Sequence, residues 1–227
     1  MVHTLVTGAS HGLGRACAEY LENKGHKVTK LEGKKDCNFN NKADVHSLGS
    51  WLKHLDLDNI VHCAGGGFGK KDPLLQWEDF ELLFNVNLNS IATINRLAIP
   101  SMITKGKGNI IHVSSIASKQ TGASVGYSAI KAGLNAYSKS LAREFANENI
   151  RINCITPGTI LAKDNNWGRY LSEEAAWLDE YIDKNCPTKK LGDVNQVVSL
   201  IEFLLDDKSD GINGAIISID NCESVYI

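Results

Sequence analysis

Tyr127 and Lys131 stand four residues apart in Tyr-Ser-Ala-Ile-Lys, twelve residues after Ser115. On a helix an i, i+4 pair shares one face, so the ammonium of Lys131 falls beside the phenol of Tyr127 and favours its phenolate. An unperturbed tyrosine, with a pKa of roughly 10, is a poor base near neutrality. A neighbouring cation brings the phenol into a useful range, while the Ser115 hydroxyl hydrogen-bonds the oxygen of a bound molecule. Three such groups move a proton on or off an oxygen, the acid/base half of converting a hydroxyl to a carbonyl where a bound acceptor takes the hydride. The spacing alone is common, and a buried aromatic beside a solvated charge fits it equally well.

The elements that must position these side chains begin at the first residues. A strand-like run, Val2-His3-Thr4-Leu5-Val6, leads into Thr7-Gly8-Ala9-Ser10-His11-Gly12-Leu13-Gly14, and a helical pattern follows through Ala16, Tyr20 and Leu21. Glycines let the backbone turn tightly and approach a pyrophosphate, whose charge is then bound by the free N–H groups of the helix start. Glu32 closes a second strand eighteen residues after Gly14, the spacing of a ribose-binding carboxylate.

Apolar periodicity predicts strands near 2–6, 27–31, 59–63, 109–113, 150–155 and 214–219. Helices are expected at about 13–24, 44–54, 79–103, 125–147 and 193–205. The alternation argues for an α/β fold, a Rossmann-type doubly wound parallel sheet covered on both faces. No repeat, low-complexity tract or linker divides the chain, so 1–227 is read as a single domain.

At 227 residues and 43% hydrophobic, the chain can bury one core. A net charge of -2 offers no large basic surface, so no nucleic-acid partner is expected. No apolar leader precedes the first strand and no run approaches the roughly 18 apolar residues of a membrane helix, so no membrane partner is expected and the cytoplasm is the default. Six dispersed cysteines without a C-x-x-C pair read as free thiols in a reducing compartment. Seven histidines show no metal spacing, and His62 and His112 fall within strand-like runs, so no metal is expected.

Further motifs lie in order along the chain: Cys63-Ala64-Gly65, Asn85-Val86-Asn87, Ile110-Ile111-His112-Val113-Ser114-Ser115, Arg151-Ile152-Asn153 and Thr156-Pro157-Gly158. With the glycine turn and Tyr-x-x-x-Lys, the chain over nearly its whole length resembles the short-chain dehydrogenase/reductase family in its compact single-domain form. The resemblance implies an NAD(P)-dependent oxidoreductase acting on a secondary alcohol or ketone. It implies that Tyr127 is the catalytic acid/base, that Lys131 lowers its pKa and bonds the nicotinamide ribose, and that Ser115, rather than Ser114, orients the substrate oxygen. Asn87, rather than Asn85, matches the residue that holds a water behind the lysine, although both asparagines have the alternative of satisfying backbone groups. The cofactor contacts implied are Gly8, Ser10, His11, Gly12, Leu13, Gly14, Glu32, Asn38, Cys63, Ala64, Gly65, Tyr127, Lys131 and the backbone of Pro157, Gly158, Thr159 and Ile160, the last two meeting the carboxamide.

The chain departs from the family between Glu32 and Asp44, shortening the sheet between the second and fourth strands. Gly33-Lys34-Lys35-Asp36-Cys37-Asn38-Phe39 leaves room for a short turn and a minimal strand. Asn38 stands where the family has an aspartate near adenine. Cys63 replaces an asparagine, Ala162 a threonine, and Asp220-Asn221-Cys222 the usual Asp-Gly-Gly. A carboxylate at Glu32 accepts hydrogen bonds from the ribose hydroxyls and repels a 2′-phosphate, which favours NAD(H) over NADP(H). Lys34, Lys35 and His11 stand against this as partners for such a phosphate.

Lys163 to Lys190 is the expected substrate lid, with Trp167, Arg169, Tyr170, Trp177 and Tyr181 suited to packing or to a sugar, a ring or an anion. Gly65-Gly66-Gly67-Phe68-Gly69 is a flexible rim opposite. Apolar residues beyond one face of the helices near 79–103 and 125–147, among them Leu82, Leu83, Phe84, Ile91 and Ile94, suggest a partner surface, and the resemblance implies a homodimer or homotetramer through it. A rival reading is a catalytically silent NAD(P)-binding sensor or scaffold, which would be free to lose Tyr127 and Ser115. A nucleotide-sugar epimerase or dehydratase is disfavoured, because such relatives need a larger C-terminal substrate domain.

Overall fold

Strand β1 (His3–Thr7) is buried at every position and is followed by helix α1 (Gly12–Asn23) and strand β2 (Lys27–Leu31). After β2 come one helical turn, α2 (Gly33–Asp36), helix α3 (Lys42–Lys53) and strand β3 (Asn59–His62). Helix α4 (Trp77–Phe84) runs through a π-helical segment, Asn85–Asn89, into α5 (Ser90–Lys105), and strand β4 (Gly108–Val113) follows. Helix α6 (Val125–Glu144) precedes strand β5 (Ile150–Pro157) and a two-residue strand, β6 (Ile160–Leu161). Two short helices, α7 (Asn166–Ser172) and α8 (Leu178–Asn185), lead to β7 (Gly192–Asp193), helix α9 (Val194–Leu205) and strand β8 (Ile216–Ile219). The computed structural model describes residues 1–162 and 164–226, without the side chain of Lys34.

The main sheet is wholly parallel in the order β2-β1-β3-β4-β5-β8. Consecutive strand residues point to opposite faces. Leu5, Ile60, Ile110 and Ile152 therefore pack with Leu48, Leu52, Ile94 and Met102 of α3 and α5. Their neighbours Val6, Val61, Ile111 and Ile155 pack with Leu21 of α1 and with Val197, Ile201 and Leu204 of α9 on the other side. Burial on both faces explains why these strands read as continuous apolar runs. The chain leaves β1 toward β2 and then returns to place β3 on the opposite side, so the switch point lies at the C-terminal ends of β1 and β3, where a crevice opens.

Three details correct the sequence expectations. No strand forms between α2 and α3; too few residues remain to cross β2 and return, and Cys37 and Phe39 instead fold into the core beside α3. The helix expected over 79–103 is broken by the π-helical turn, which re-aims Asn87 inward, fully buried. Leu83, Ile91 and Ile94 are not surplus surface residues, being at most 1% exposed within the chain.

Candidate active site

Loops following β1, β3, β4 and β5 surround a cavity of about 630 Å³ at the switch point. From the sequence-derived set it is lined by Gly8, His11 to Gly14, Cys63 to Gly65, Ser115, Tyr127, Lys131 and Pro157 to Ile160. Ser10, Glu32, Asn38 and Asn87 are not among its lining residues. Ser10 bonds the ring of its neighbour His11 at 2.9 Å, and the Asn38 side chain accepts from the Asn40 N–H at 3.1 Å.

The glycine turn is tight enough to require glycine. A Cβ on Gly8, at φ +69°, would lie 2.7 Å from the Ala64 backbone, and one on Gly14 only 2.1 Å from the Gly8 carbonyl oxygen. No side chain caps the start of α1, whose residues Gly12, Leu13 and Gly14 face the cavity. An uncapped helix N-terminus over a glycine cradle fits a dinucleotide pyrophosphate.

Lys131 is 3% exposed, and its ammonium donates to the Val113 carbonyl at 2.9 Å, 5.7 Å from the centre of the Tyr127 ring. Burial brings the ammonium down to about 8, against the pull of the Cys154 and Cys63 thiols. Burial pushes the Tyr127 phenol up to about 12, with the neighbouring Ser115 hydroxyl pulling the other way. Burial therefore opposes the phenolate, and one of the three Lys131 N–H donors is directed to Val113. Ser115 and Ser114 are separated by their partners. The Ser114 hydroxyl donates to the Lys131 carbonyl at 3.1 Å, whereas the Ser115 oxygen accepts from the Ala117 N–H at 3.2 Å and its hydroxyl faces the Tyr127 phenol across the cavity wall.

The Asn87 side chain bonds backbone groups on two segments. Its side-chain oxygen accepts from the Gly66 N–H at 2.9 Å, and its amide donates to the carbonyls of Gly66 at 3.0 Å and Leu83 at 2.9 Å. A Cβ on Gly65 would sit 2.6 Å from the Asn87 oxygen and 3.2 Å from the Lys131 nitrogen, so Gly65 is what lets both approach one point. Asn85 turns outward and bonds Asn40 at 3.0 Å.

Gln120, Thr121, Asn165, Trp167, Tyr181, Asn185 and Glu223 also line the cavity. Of these, sequence reasoning named only Trp167 and Tyr181. Glu223 arrives from the C-terminal tail, sixty-four positions from Thr159, and no local motif marks it. Arg169 is absent from the lining, its guanidinium lying 5.4 Å from the Tyr170 ring centre. Lys163, the first residue of the expected lid, lies outside the described residues. Among the described residues no group of three histidine, cysteine, aspartate or glutamate side chains could hold a metal ion.

The sequence model of the family described as Enoyl-(Acyl carrier protein) reductase matches residues 8–221, nearly the whole of the chain. The chain belongs to the short-chain dehydrogenase/reductase family. It is 31% identical over 238 residues to the 3-oxoacyl-acyl-carrier-protein reductase FabG of Salmonella typhimurium, covering 95% of this chain and 94% of that one. It is 30% identical over 245 residues to a tropinone reductase homolog of Arabidopsis thaliana, covering 97% and 90%. Among solved structures, L-sorbose reductase from Gluconobacter frateurii superimposes with a TM-score of 0.87 at 22% identity, over 100% of this chain and 97% of that one. A 4-hydroxyisoleucine dehydrogenase superimposes with a TM-score of 0.86 at 24% identity, over 97% and 98%. As a short-chain dehydrogenase/reductase, the protein is an NAD(P)-dependent oxidoreductase that moves hydride between a nicotinamide cofactor and its substrate.

Proposed function

We propose that the chain is one catalytic domain that interconverts a secondary alcohol and a ketone, with Tyr127 as the proton donor and acceptor. The observation that carries this is the convergence of Tyr127, Ser115 and Lys131 on a cavity that also contains the glycine turn. Gly8, His11 to Gly14, Cys63 to Gly65 and the Pro157 to Ile160 backbone would hold the cofactor, apart from the Thr159 N–H, which Glu223 engages. When bound, the dinucleotide supplies or accepts the hydride at its pyridine ring. Ser115 donates its proton to the substrate oxygen and fixes it beside the Tyr127 hydroxyl. In reduction, Tyr127 delivers its proton to that oxygen as negative charge develops there, and its high proton affinity keeps the acid loaded at neutral pH. Lys131 lies over the ring, where its charge offsets the phenolate left behind. Asn87 holds the Gly66 backbone and leaves the space beside Lys131 open. Residues 164–190 cover the substrate side.

NAD(H) is favoured over NADP(H). Glu32 closes β2 in the position of a ribose-binding carboxylate, and the Lys35 ammonium, 3.0 Å away, is engaged by Glu32 itself. Arg15, the nearby basic residue of α1, is held by Asp164 and the Ser10 carbonyl. A panel of ketones, oxoacyl thioesters and sugar derivatives, followed by the absorbance loss of the reduced cofactor, should show turnover with kcat/KM for NADH at least ~10-fold above NADPH, the effect of one unscreened like charge. No turnover of any member would leave the catalytically silent binder, and a strong preference for NADPH would reject the reading of Glu32.

A homo-oligomer through α4, α5 and α6 is supported by the exposed large apolar side chains Trp77, Phe80 and Phe84 along α4 and Val125 at the start of α6. Light scattering at micromolar concentration should report a dimer or tetramer, and Phe84→Glu should shift it toward monomer. A monomeric parent protein would remove the proposal. The six free thiols suit a reducing compartment, which supports the cytoplasm.

A further inference from the structure

The substrate end of the cavity carries an acidic side chain that the proton-transfer chemistry does not use. Glu223 reaches it from the tail after β8. Its Oε2 accepts from the Thr159 N–H at 2.5 Å, and its Oε1 accepts from the Thr159 hydroxyl at 2.5 Å and the Tyr181 hydroxyl at 3.2 Å. The tail is itself fixed, since the Ser224 N–H donates to Asp220 at 3.1 Å and the Val225 N–H to Gln120 at 3.0 Å. Burial, together with Glu223, holds the Tyr181 phenol up at about 12, so it stays a donor to the carboxylate. The two partners of Glu223 belong to different elements, the turn after β5 and helix α8, which pins the charge in place.

We propose that Glu223 determines substrate charge, selecting ketones that carry a protonated amine and rejecting carboxylates and phosphates; the inference rests on the oxidoreductase reading of this site. Three observations carry it. Of the other charged lining groups, Asp164 is paired with Arg15 and the Lys131 ammonium sits beside the Tyr127 ring, and no arginine lines the cavity among the described residues. The rings of Trp167 and Tyr181, packed on each other with centres 4.9 Å apart, both line the cavity and are backed by Trp177 and Tyr170, and aromatic faces attract cations. Three of the roughly four lone-pair sites of the carboxylate are already taken by protein donors, so a neutral hydroxyl finds little acceptor capacity while the charge still acts on a cation.

The test uses three six-membered ketones that differ only opposite the carbonyl: 4-(aminomethyl)cyclohexanone, 4-(hydroxymethyl)cyclohexanone and 4-oxocyclohexanecarboxylate. With the parent holoenzyme, kcat/KM should fall in that order, the ammonium ketone exceeding the carboxylate by ~100-fold, the scale of one charge contact in a partly buried site. Glu223→Gln should compress this ratio by at least ~10-fold, chiefly by raising KM for the ammonium ketone. A ratio near one in the parent enzyme overturns the proposal without recourse to any variant, and so does a ratio unchanged by Glu223→Gln. Dissociation constants of the same ketones, read from tryptophan fluorescence, separate the two levels of inference. Binding that follows charge with no turnover of any ketone would sustain charge selection and reject the redox reading, whereas turnover indifferent to charge would do the reverse.

Discussion

Tyr127→Phe should lower turnover by at least ~100-fold while leaving the dissociation constant for the cofactor nearly unchanged, because the substitution removes one positioned acid and no packing. The phenol lines the cavity with Ser115 and is held protonated by burial, so the parent enzyme carries its proton ready for transfer in the reducing direction. Phenylalanine keeps the ring under the Lys131 ammonium, and the Lys131 to Val113 hydrogen bond does not involve the phenol. Stopped-flow turnover alongside cofactor fluorescence titration separates the two quantities. Equal rates in the two proteins would reject Tyr127 as the proton donor, and a parallel loss of cofactor affinity would make it a binding residue.

Acid should destabilise the fold through a pair of histidines in the floor of the sheet. His62 on β3 and His112 on β4 are fully buried and joined through Asn95. Asn95 Oδ1 accepts from His62 Nε2 at 2.9 Å, and Asn95 Nδ2 donates to His112 Nε2 at 2.9 Å, while His112 Nδ1 donates to Ser138 at 3.0 Å. That pattern admits only neutral rings. Protonating His112 Nε2 would set an N–H against the Asn95 amide, and protonating His62 Nδ1, which has no partner, would add an unsatisfied buried N–H. Burial accordingly brings His62 down to about 4 and His112 well below its ordinary value, the latter helped by His62 and Lys131.

The unfolded chain takes up a proton at each ring below roughly pH 6.5, but the native chain does not until the depressed values are reached, so unfolding binds protons in this window. Stability is therefore complete above that pH and falls as pH falls. At pH 5 the loss from His62 alone is about 2 kcal/mol, with His112 adding in the same direction. Denaturant unfolding measured between neutrality and pH 5 should show this slope. Uptake of less than one proton per molecule on unfolding over that interval would contradict the neutral network.

Much of the sheet was legible because a strand buried on both faces has to be apolar at nearly every position. The runs around Leu5, Ile60, Ile110 and Ile152 announced themselves without any knowledge of their neighbours. The grouping of residues around the cavity was legible for a different reason: Tyr127 and Lys131 share a helix, and the turn from Gly8 to Gly14 is confined by its own backbone, so short-range spacing carries the geometry. Sequence reasoning failed where outcomes depended on distant partners. Ile91 and Ile94 looked like surplus surface and are core, since what α5 packs against is set by α3 and the sheet. Asn87 could be given its place but not its partners, because the π-helical turn that aims it at Gly66 has no compositional signature.

By itself, the order of residues determined the strands, the glycine cradle and the placing of Tyr127 and Lys131 on one helix, all of which follow from local periodicity and short-range spacing. Only the tertiary structure decided the electrostatic state of those groups: depth of burial, not the nearness of Lys131 along the helix, keeps the Tyr127 phenol protonated, and Lys131 turns to a carbonyl on β4. It also brought Glu223 to Thr159 and Tyr181, because three segments remote in sequence close around one space. Burial and long-range contact are properties of the assembled chain, and no window along the sequence contains them.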